Sequence, residues 1–244
     1  MIKKNIEVCF SPLLFPYYEK KEANVVVVDI LRATSAIVTA FHNGVEKLIP
    51  VRSIEEARVY KNNGFMVAAE RDGIVLDFAD FGNSPFNFIR EKIEGKTIAY
   101  STTNGTQAIH TASSCHGVAI GAFLNLTTLK NWLIEQNRDV IILCAAWKNK
   151  FNLEDSLFAG ALSEGLLQSG YFGTICDSSY AAMDLWRYAK PDLLTYIEKV
   201  AQKTRLKLNG LDDVIPYCHT LDIAPAIPIL KENYLIEVQN FSGG

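Results

Sequence analysis

Short apolar runs recur along the first two thirds of the chain and alternate with stretches of helical length. The runs are VVVVD at 25–29, KLIPV at 47–51, FMVAA at 65–69, TIAYS at 97–101, GVAIGA at 117–122 and DVIILCAA at 139–146. Continuous apolar strands separated by stretches such as SIEEARVYKNNG and NLTTLKNWLIEQN indicate a largely parallel sheet that is covered on both faces. The pattern therefore predicts an α/β fold with three αβα layers.

An internal similarity divides this region into two parts. TSAIVTA at 34–40 matches TQAIHTA at 106–112, and each stretch follows a predicted strand. Extending the match pairs VVVVD with TIAYS and FMVAA with VIILCAA. We infer two related βαβαβ halves at about 24–95 and 96–165. Chance similarity between two helices rich in Ala and Thr is the alternative.

The last third of the chain has a mostly helical pattern. From Asn152 onward it reads NLEDSLFAGALSEGLLQ, DSSYAAMDLWRYA and PDLLTYIEKVAQK, with LNGLDDVIPYCHTLD after them. No Gly-, Ser- or Pro-rich linker separates this part from the predicted sheet. We therefore expect the helices to pack on the sheet, so that residues 1–244 form one unit.

Composition narrows the class of protein. The chain is 49% hydrophobic and 21% charged, with a net charge of -3, which is typical of a globular protein without a basic surface for nucleic acid. Apolar stretches are too short to cross a membrane, and Pro12 and Pro16 interrupt the N-terminal stretch, unlike a secretory signal. The five cysteines form no CxxC pair. We expect a cytoplasmic protein, with a symmetric dimer as the commonest default.

Polar residues cluster directly after the predicted strands. They are Asp29, Arg32, Thr34 and Ser35; Glu70 and Arg71; Asn83 and Ser84; Thr102, Thr103, Asn104, Gly105 and Thr106; and Glu154 and Asp155. In open α/β sheets, ligands bind outside the carboxyl ends of the strands. These loops are therefore the predicted site.

The residue types suit a phosphorylated ligand held with a metal ion. Helix starts and hydroxyl groups bind anions, and arginine matches the geometry of phosphate or carboxylate. Mg²⁺ usually takes one or two protein carboxylates and completes its shell with water and ligand oxygens, so Asp29 and Glu70 are the candidate Mg²⁺ ligands.

Each residue also has a structural interpretation. Asp29, Thr34, Ser84 and Asn104 could cap turns or helices, Asp155 could only complement a helix dipole, and the arginines could pair with nearby acids. Cys144 is interpreted as a buried strand residue, since no histidine is near it in sequence.

Two known phosphoryl-transfer signatures are absent from the sequence. Haloacid-dehalogenase phosphatases need a second aspartate two residues after the first, and Leu31 stands there. A Walker A loop needs Gly-Lys-Ser/Thr after a glycine-rich turn, and the chain has no such sequence.

Five motifs in order carry a resemblance. DILRATSAIVTAFHNG, ER followed by FGNSP, TTNGT, and CAA followed by NLEDSLFAG are similar to those of the 2-phosphosulfolactate phosphatase (ComB-like) family. The similarity runs through residues 25 to 160 and continues more weakly in DVIPYCHTLD. The matching motif residues are Asp29, Arg32, Ala33, Thr34, Glu70, Arg71, Gly82, Asn83, Ser84, Pro85, Thr102, Thr103, Asn104, Gly105, Thr106, Cys144, Ala145, Glu154 and Asp155.

The resemblance implies an α/β fold and Mg²⁺-dependent hydrolysis of the phosphate ester of 2-phospho-3-sulfolactate, a step towards coenzyme M. The family usually has glycines after its Glu-Arg and Cys-Ala pairs. Here those places hold Asp72-Gly73 and the stretch AWKNK at 146–150, which leaves the substrate open. A phosphatase of another small phosphorylated carboxylate and a non-catalytic binder of anionic metabolites are the alternatives.

These implications assign roles to the candidate residues. Asp29 and Glu70 would hold Mg²⁺ directly or through water, and Arg32 and Arg71 would stabilise the transferring phosphoryl group. Asp155 or Glu154 would add a metal contact or transfer a proton. The remaining substrate-binding candidates are Thr34, Ser35, Asn83, Ser84 and the TTNGT loop at 102–106. Whether water or Asp29 attacks phosphorus stays open.

Overall fold

The computed structural model describes residues 2–239, and in that range eleven strands form one mixed sheet. The strands are β1 (Lys4–Cys9), β2 (Asn24–Val28), β3 (Lys47–Pro50), β4 (Met66–Arg71), β5 (Ile74–Val75), β6 (Thr97–Ser101), β7 (Gly117–Gly121), β8 (Val140–Cys144), β9 (Phe172–Gly173), β10 (Pro228–Lys231) and β11 (Tyr234–Glu237). All six strands predicted from the apolar runs are present. The predicted α/β fold with a largely parallel sheet is confirmed.

Helices connect most of the strands. They are α1 (Ala33–His42), α2 (Ile54–Asn62), α3 (Arg90–Ile93), α4 (Gly105–Ala112), α5 (Leu126–Gln136), α6 (Leu153–Gln168), α7 (Asp177–Ala189), α8 (Leu193–Tyr196), α9 (Ala201–Leu208) and α10 (Ile215–Cys218). The stretch PDLLTYIEKVAQK is divided between α8 and α9, because Val200 takes an extended conformation between them. None of these helices, within the described range, is long and apolar enough to cross a membrane.

The sheet has two parallel sets of strands. Its order is β5-β4-β6-β3-β11-β10-β7-β2-β8-β1-β9. Strands β4, β6 and β3 are parallel to one another, and so are β7, β2, β8, β1 and β9. The β10–β11 hairpin pairs antiparallel with β7 on one side and with β3 on the other, so the two parallel sets run in opposite directions.

The strand order around the hairpin is symmetric. On one side it reads β3, β6, β4 outward from the hairpin, and on the other side it reads β7, β2, β8. Each parallel set therefore contains two strands from one predicted half and the first strand of the other. In other words, β6 lies between β3 and β4, and β2 lies between β7 and β8. The division into related halves at 24–95 and 96–165 stays a prediction.

The core lies along β2 and β8. Every residue of both strands is buried, since each strand has a parallel neighbour on either side and helices over the sheet. Helix α6 is buried along most of its length and packs against α7. Burial on both faces explains why these strands are continuously apolar and do not alternate.

Candidate active site

The starts of helices α1 and α4 meet at the carboxyl ends of β2 and β6. A Cβ atom placed on Gly105, the first residue of α4, would lie 2.5 Å from the Cβ of Ala33, the first residue of α1. It would also lie 3.0 Å from Oδ2 of Asp29. Only glycine fits there, so the close approach of the two helix starts depends on Gly105.

Backbone contacts fix Asp29 at the end of β2. The Asp29 N–H donates to Oγ1 of Thr34 at 3.0 Å, and the Thr34 N–H donates to the carbonyl of Asp29 at 2.9 Å. The hydroxyl of Ser35 donates to the Ile30 carbonyl at 2.9 Å. Thr34 and Ser35, both predicted to bind substrate, are fully buried and hold the loop that presents Asp29.

The loop after β6 is held in a similar way. The Thr106 N–H donates to Oγ1 of Thr102 at 3.2 Å, and the Thr106 hydroxyl donates to the Thr102 carbonyl at 3.1 Å. Asn104 stands at the cap position without a side-chain capping bond. Its Oδ1 accepts the Lys148 N–H at 3.2 Å, which joins this loop to the loop after β8.

Glu70 reaches across to the same loop from the end of β4. Its Oε1 accepts the Thr103 N–H at 2.8 Å, and its Oε2 accepts the Gly73 N–H at 2.7 Å. The side chain is 4% exposed. Glu70 therefore holds the loops at Thr103 and Gly73 in place. Only its remaining carboxylate lone pairs can bind a ligand or a metal ion.

Arg32 is the buried cation of the site. The residue is 4% exposed, and its Nη2 donates to Oδ1 of Asn83 at 2.8 Å. Burial lowers the pKa of Arg32, while Glu70 opposes the shift. The guanidinium stays charged because its ordinary pKa is far above neutral. Ser84, next to Asn83, caps the 3₁₀ turn Pro85–Asn87 without a side-chain bond.

Two acids in the first turn of helix α6, Glu154 and Asp155, belong to the same region. Asp155 accepts the Ile30 N–H at 2.8 Å through Oδ1 and the Ala146 N–H at 3.3 Å through Oδ2. It thus ties the end of β2 to the end of β8. Burial raises the pKa of Asp155 to about 8 and that of Glu154 to about 7, so both carboxyls hold protons more tightly than usual.

The electrostatics single out Asp29. Burial raises its pKa well above the ordinary value, and the Asp155 and Glu70 carboxylates raise it further. The Ala33 amide and the Arg32 guanidinium offset this shift only in part. The site contains four acids (Asp29, Glu70, Glu154 and Asp155) and one buried arginine. Such an arrangement favours protons or an added cation.

A small cavity of about 20 Å³ lies among these loops. Asp29, Arg32, Glu70, Asn83, Thr103 and Asn104 line it, together with Leu31, Gly73, Trp147, Gln202 and Leu206. It holds about one water molecule or ion. The structure thus brings six of the predicted residues together around this cavity. The other nine are outside its lining: Thr34, Ser35, Arg71, Ser84, Thr102, Gly105, Thr106, Glu154 and Asp155.

Arg71 has a different setting from Arg32. It follows Glu70 on β4, and consecutive strand residues point to opposite faces. Its Nη1 donates to the Glu70 carbonyl at 2.6 Å and its Nη2 to the Ser101 hydroxyl at 3.0 Å. Together with Thr102 and Thr106 it lines a second cavity. Arg32 and Arg71 line different cavities, and their joint action on one phosphoryl group stays a prediction.

The cover of the first cavity was missed from sequence. Gln202 and Leu206 come from α9, and Trp147 comes from the loop after β8. The guanidinium of Arg205 lies 4.3 Å from the centre of the Trp147 ring. No motif marks α9, whose sequence reads as an ordinary surface helix. The sequence feature that could have indicated a changed loop is the AWKNK stretch at 146–150, which stands where the family usually has glycine. In the structure, Ala146, Lys148 and Asn149 of this stretch all have positive φ.

The donor set is compatible with Mg²⁺. Among residues 2–239 no group of three or more His, Cys, Asp and Glu side chains is arranged to hold a metal ion. Mg²⁺ needs only one or two carboxylates with water and ligand oxygens, and Asp29 and Glu70 line one cavity. The excess of buried acid over buried base gives an added cation a favourable environment.

Strand ends that bring acids and a buried arginine to one cavity, beside two helix starts, are typical of an α/β enzyme. A family model described as 2-phosphosulpholactate phosphatase matches residues 9–233. The chain belongs to this family of phosphoric monoester hydrolases.

Relatives in three bacteria are similar over nearly the whole chain. A probable 2-phosphosulfolactate phosphatase of Caldanaerobacter subterraneus is 36% identical, and the alignment covers 91% of this chain and 93% of the relative. Proteins of the same description are 34% identical in Clostridium novyi, covering 85% and 89%, and 36% identical in Thermotoga maritima, covering 86% and 90%.

Proposed function

We propose that this protein hydrolyses the phosphate ester of 2-phosphosulfolactate with the help of Mg²⁺, giving sulfolactate and phosphate. The observation that carries the proposal is the placement of Asp29, Arg32 and Glu70 around one cavity where two helix starts meet. The substrate carries phosphate, sulfonate and carboxylate, so its site needs several positive groups. Arg32, the helix starts and an added cation supply them.

Asp29 is the proposed direct ligand of Mg²⁺. Its carboxylate accepts the Ala33 N–H and has no side-chain donor within residues 2–239, whereas Glu70 accepts two backbone N–H groups and the Thr103 hydroxyl. Glu70 would therefore contact the ion through a remaining lone pair or through water. When bound, Mg²⁺ supplies charge neutralisation for the phosphoryl oxygens and orients them.

The chain's own residues bind and orient the ester. Arg32 donates to the phosphoryl oxygens while Asn83 holds its other N–H group, and the Thr103 and Asn104 loop borders the cavity. Asp155 acts by position, because it fixes the loops at Ile30 and Ala146. Glu154, with a pKa of about 7, is the proposed proton carrier next to Asp29. The attacking group is water or the Asp29 carboxylate.

The cavity requires the cover to move. Its volume of about 20 Å³ is far below that of a ligand with three acid groups. Trp147, Gln202 and Leu206 must therefore shift when substrate enters. The loop that carries Trp147 differs from the family pattern, so another small phosphorylated carboxylate is the second candidate substrate.

Phosphate release on a panel of esters tests the proposal. The panel contains 2-phosphosulfolactate, phosphoglycolate and phospholactate, each with Mg²⁺ and with EDTA. We expect Mg²⁺-dependent release that is fastest on 2-phosphosulfolactate. If release is fastest on another ester, the protein is still a phosphatase, but that ester replaces 2-phosphosulfolactate as the proposed substrate. Equal release with EDTA would contradict the role of Mg²⁺. Coenzyme M biosynthesis, cytoplasmic location and a homodimer stay predictions.

A further inference from the structure

A second cavity of about 520 Å³ adjoins the first one at Thr103. Arg52, Arg71, Gln107, His110 and Thr111 line it, with Thr102, Thr103 and Thr106 on the side of the active site. Thr103 is the residue that lines both cavities. The second cavity therefore shares a wall with the proposed catalytic site and is a separate space.

Two arginines face this cavity without an acidic partner. Both bonds of the Arg71 guanidinium go to neutral oxygens, the Glu70 carbonyl and the Ser101 hydroxyl, which leaves three of its five N–H groups free. The guanidinium of Arg52 forms no ion pair or hydrogen bond with any residue in the 2–239 range, and its backbone N–H donates to Glu56. A pair of uncompensated guanidinium groups is the arrangement that binds oxyanions.

The acids nearest to this cavity do not neutralise it. Glu55 and Glu56 stand in the first turn of α2, and the Glu56 carboxylate is engaged by the backbone of Arg52 at 2.8 Å. Neither forms an ion pair with Arg52 or Arg71 within the described chain. Among the residues that the structure describes, no carboxylate side chain lines the cavity itself.

His110 gives a second observation. The ring lines the cavity, but its Nε2 atom is buried away from solvent and faces protein. The Pro50 carbonyl accepts a hydrogen bond from the ring, which partly offsets the lowering of the His110 pKa by burial. The ring therefore reports on the cavity through its position and contributes no donor through Nε2. Burial and the nearby Arg52 charge lower the pKa of His110, and an anion would counter the second of these effects.

We infer that the cavity between Arg52, Arg71 and His110 is a second binding site, which takes an oxyanion such as phosphate or a sulfonate. The two guanidinium groups and the Gln107 amide provide the donors, and the His110 ring closes the site. The hydroxyls of Thr103, Thr106 and Thr111 already donate to protein oxygens, so these threonines border the site without supplying donors. Arg71 thus belongs to this site.

An NMR titration with inorganic phosphate tests the inference. The full chain is titrated in EDTA, and the His110 ring resonance is followed among the four histidines, with His110→Gln for assignment. We expect a saturable shift that persists in Arg32→Gln, whose first cavity is impaired. Arg52→Gln should raise the Kd for phosphate at least about tenfold. Arg58→Gln, a change on α2 at an exposed arginine that pairs with Asp77 and lines neither cavity, should leave it unchanged.

Three results would overturn the site. Phosphate does not move the His110 resonance, or the Kd in Arg52→Gln equals that of the wild type, or the titration is lost in Arg32→Gln, which would assign the anion to the first cavity. These readouts need no turnover, so they stand if the proposed function fails.

Kinetics then separate two sources of the oxyanion, and this part rests on the proposed function. If the site holds an acid group of the substrate, Arg52→Gln raises KM and leaves kcat unchanged. If it holds free phosphate, KM stays the same and inhibition by added phosphate weakens.

Discussion

The β2–α1 and β6–α4 units have the same outline and different chemistry. In each, a buried strand ends, a threonine within the next few residues hydrogen-bonds back onto the loop, and a helix begins. Where the first unit has Asp29 and Arg32, the second has Ser101 and Asn104 at the matching places. One unit supplies charge, and the other supplies backbone N–H groups and a neutral surface.

The contact between the two units explains why only one of them is charged. Ala33 of the first unit and Gly105 of the second occupy matching positions and touch. Two aspartates at this contact would repel each other in a site that already holds Glu70, Glu154 and Asp155. Because the second unit is neutral, it adds no further repulsion between carboxylates, and the folded state tolerates the acids that are present.

The largest expected effect comes from removing the charge that distinguishes the two units. Asp29→Asn should lower kcat/KM at least about a hundredfold, because the proposed Mg²⁺ ligand is lost and the ion no longer stabilises the charge of the transition state. Folding should be retained, and Tm should be equal or higher, since burial and the neighbouring acids disfavour the Asp29 carboxylate. Steady-state kinetics and a thermal melt measure both.

The matched control is Ser101→Ala in the second unit. Ser101 is buried and accepts from Arg71 at 3.0 Å, so its loss should reduce kcat/KM less than about tenfold. Equal losses in the two variants would show that the units contribute alike, contrary to the comparison.

The contact between the units offers a second prediction. Gly105→Ala should lower the free energy of unfolding by about 1–3 kcal/mol, because the new Cβ would lie 2.5 Å from Ala33. Ala33→Gly alone should cost about 0.5–1 kcal/mol. The double variant exchanges the two residues and should recover about 1 kcal/mol relative to the sum of the single changes. Urea unfolding gives all three values.

A helical glycine elsewhere provides the control. A Cβ on Gly165 in α6 would meet Lys130 Cδ at 3.0 Å, the far part of a flexible side chain. Gly165→Ala should therefore be neutral or slightly stabilising. Additive effects of Gly105→Ala and Ala33→Gly would mean that the two helix starts are not in contact in solution.

Sequence patterns were enough for the parallel strands and for the residues at their ends. Burial on both faces makes β2 and β8 continuously apolar, and this is visible without a structure. The β10–β11 hairpin was missed, because its four-residue strands lie between short turns in a region whose pattern is helical. The antiparallel join between the two parallel sets therefore could not be predicted.

The direction of the side chains is the second feature that could not be predicted from the sequence. Glu70 and Arg71 are adjacent in sequence and were assigned to one site, yet they face different cavities because strand residues alternate. The cover formed by α9 depends on long-range packing, to which a surface-like helix gives no local signal. Cys144 followed its sequence interpretation, as burial raises the pKa of its thiol well above the ordinary value.

The smallest effect concerns the acids that face the charged unit. An acid whose pKa is raised on folding binds its proton more tightly in the folded state, so the free energy of unfolding falls as pH rises through that range. For Glu154, raised to about 7, and Asp155, raised to about 8, stability should be greatest near pH 4–5 and decline towards pH 8–9 in EDTA. Glu154→Gln should reduce this decline by about 1–3 kcal/mol, as measured by urea unfolding at both ends of the range. Glu91→Gln, an exposed change on α3, should leave the slope as in the wild type. If Glu154→Gln keeps the wild-type slope, ionisation of Glu154 does not cause the loss of stability at high pH. The pH dependence of the free energy of unfolding would then be due to Asp29 and Asp155 alone.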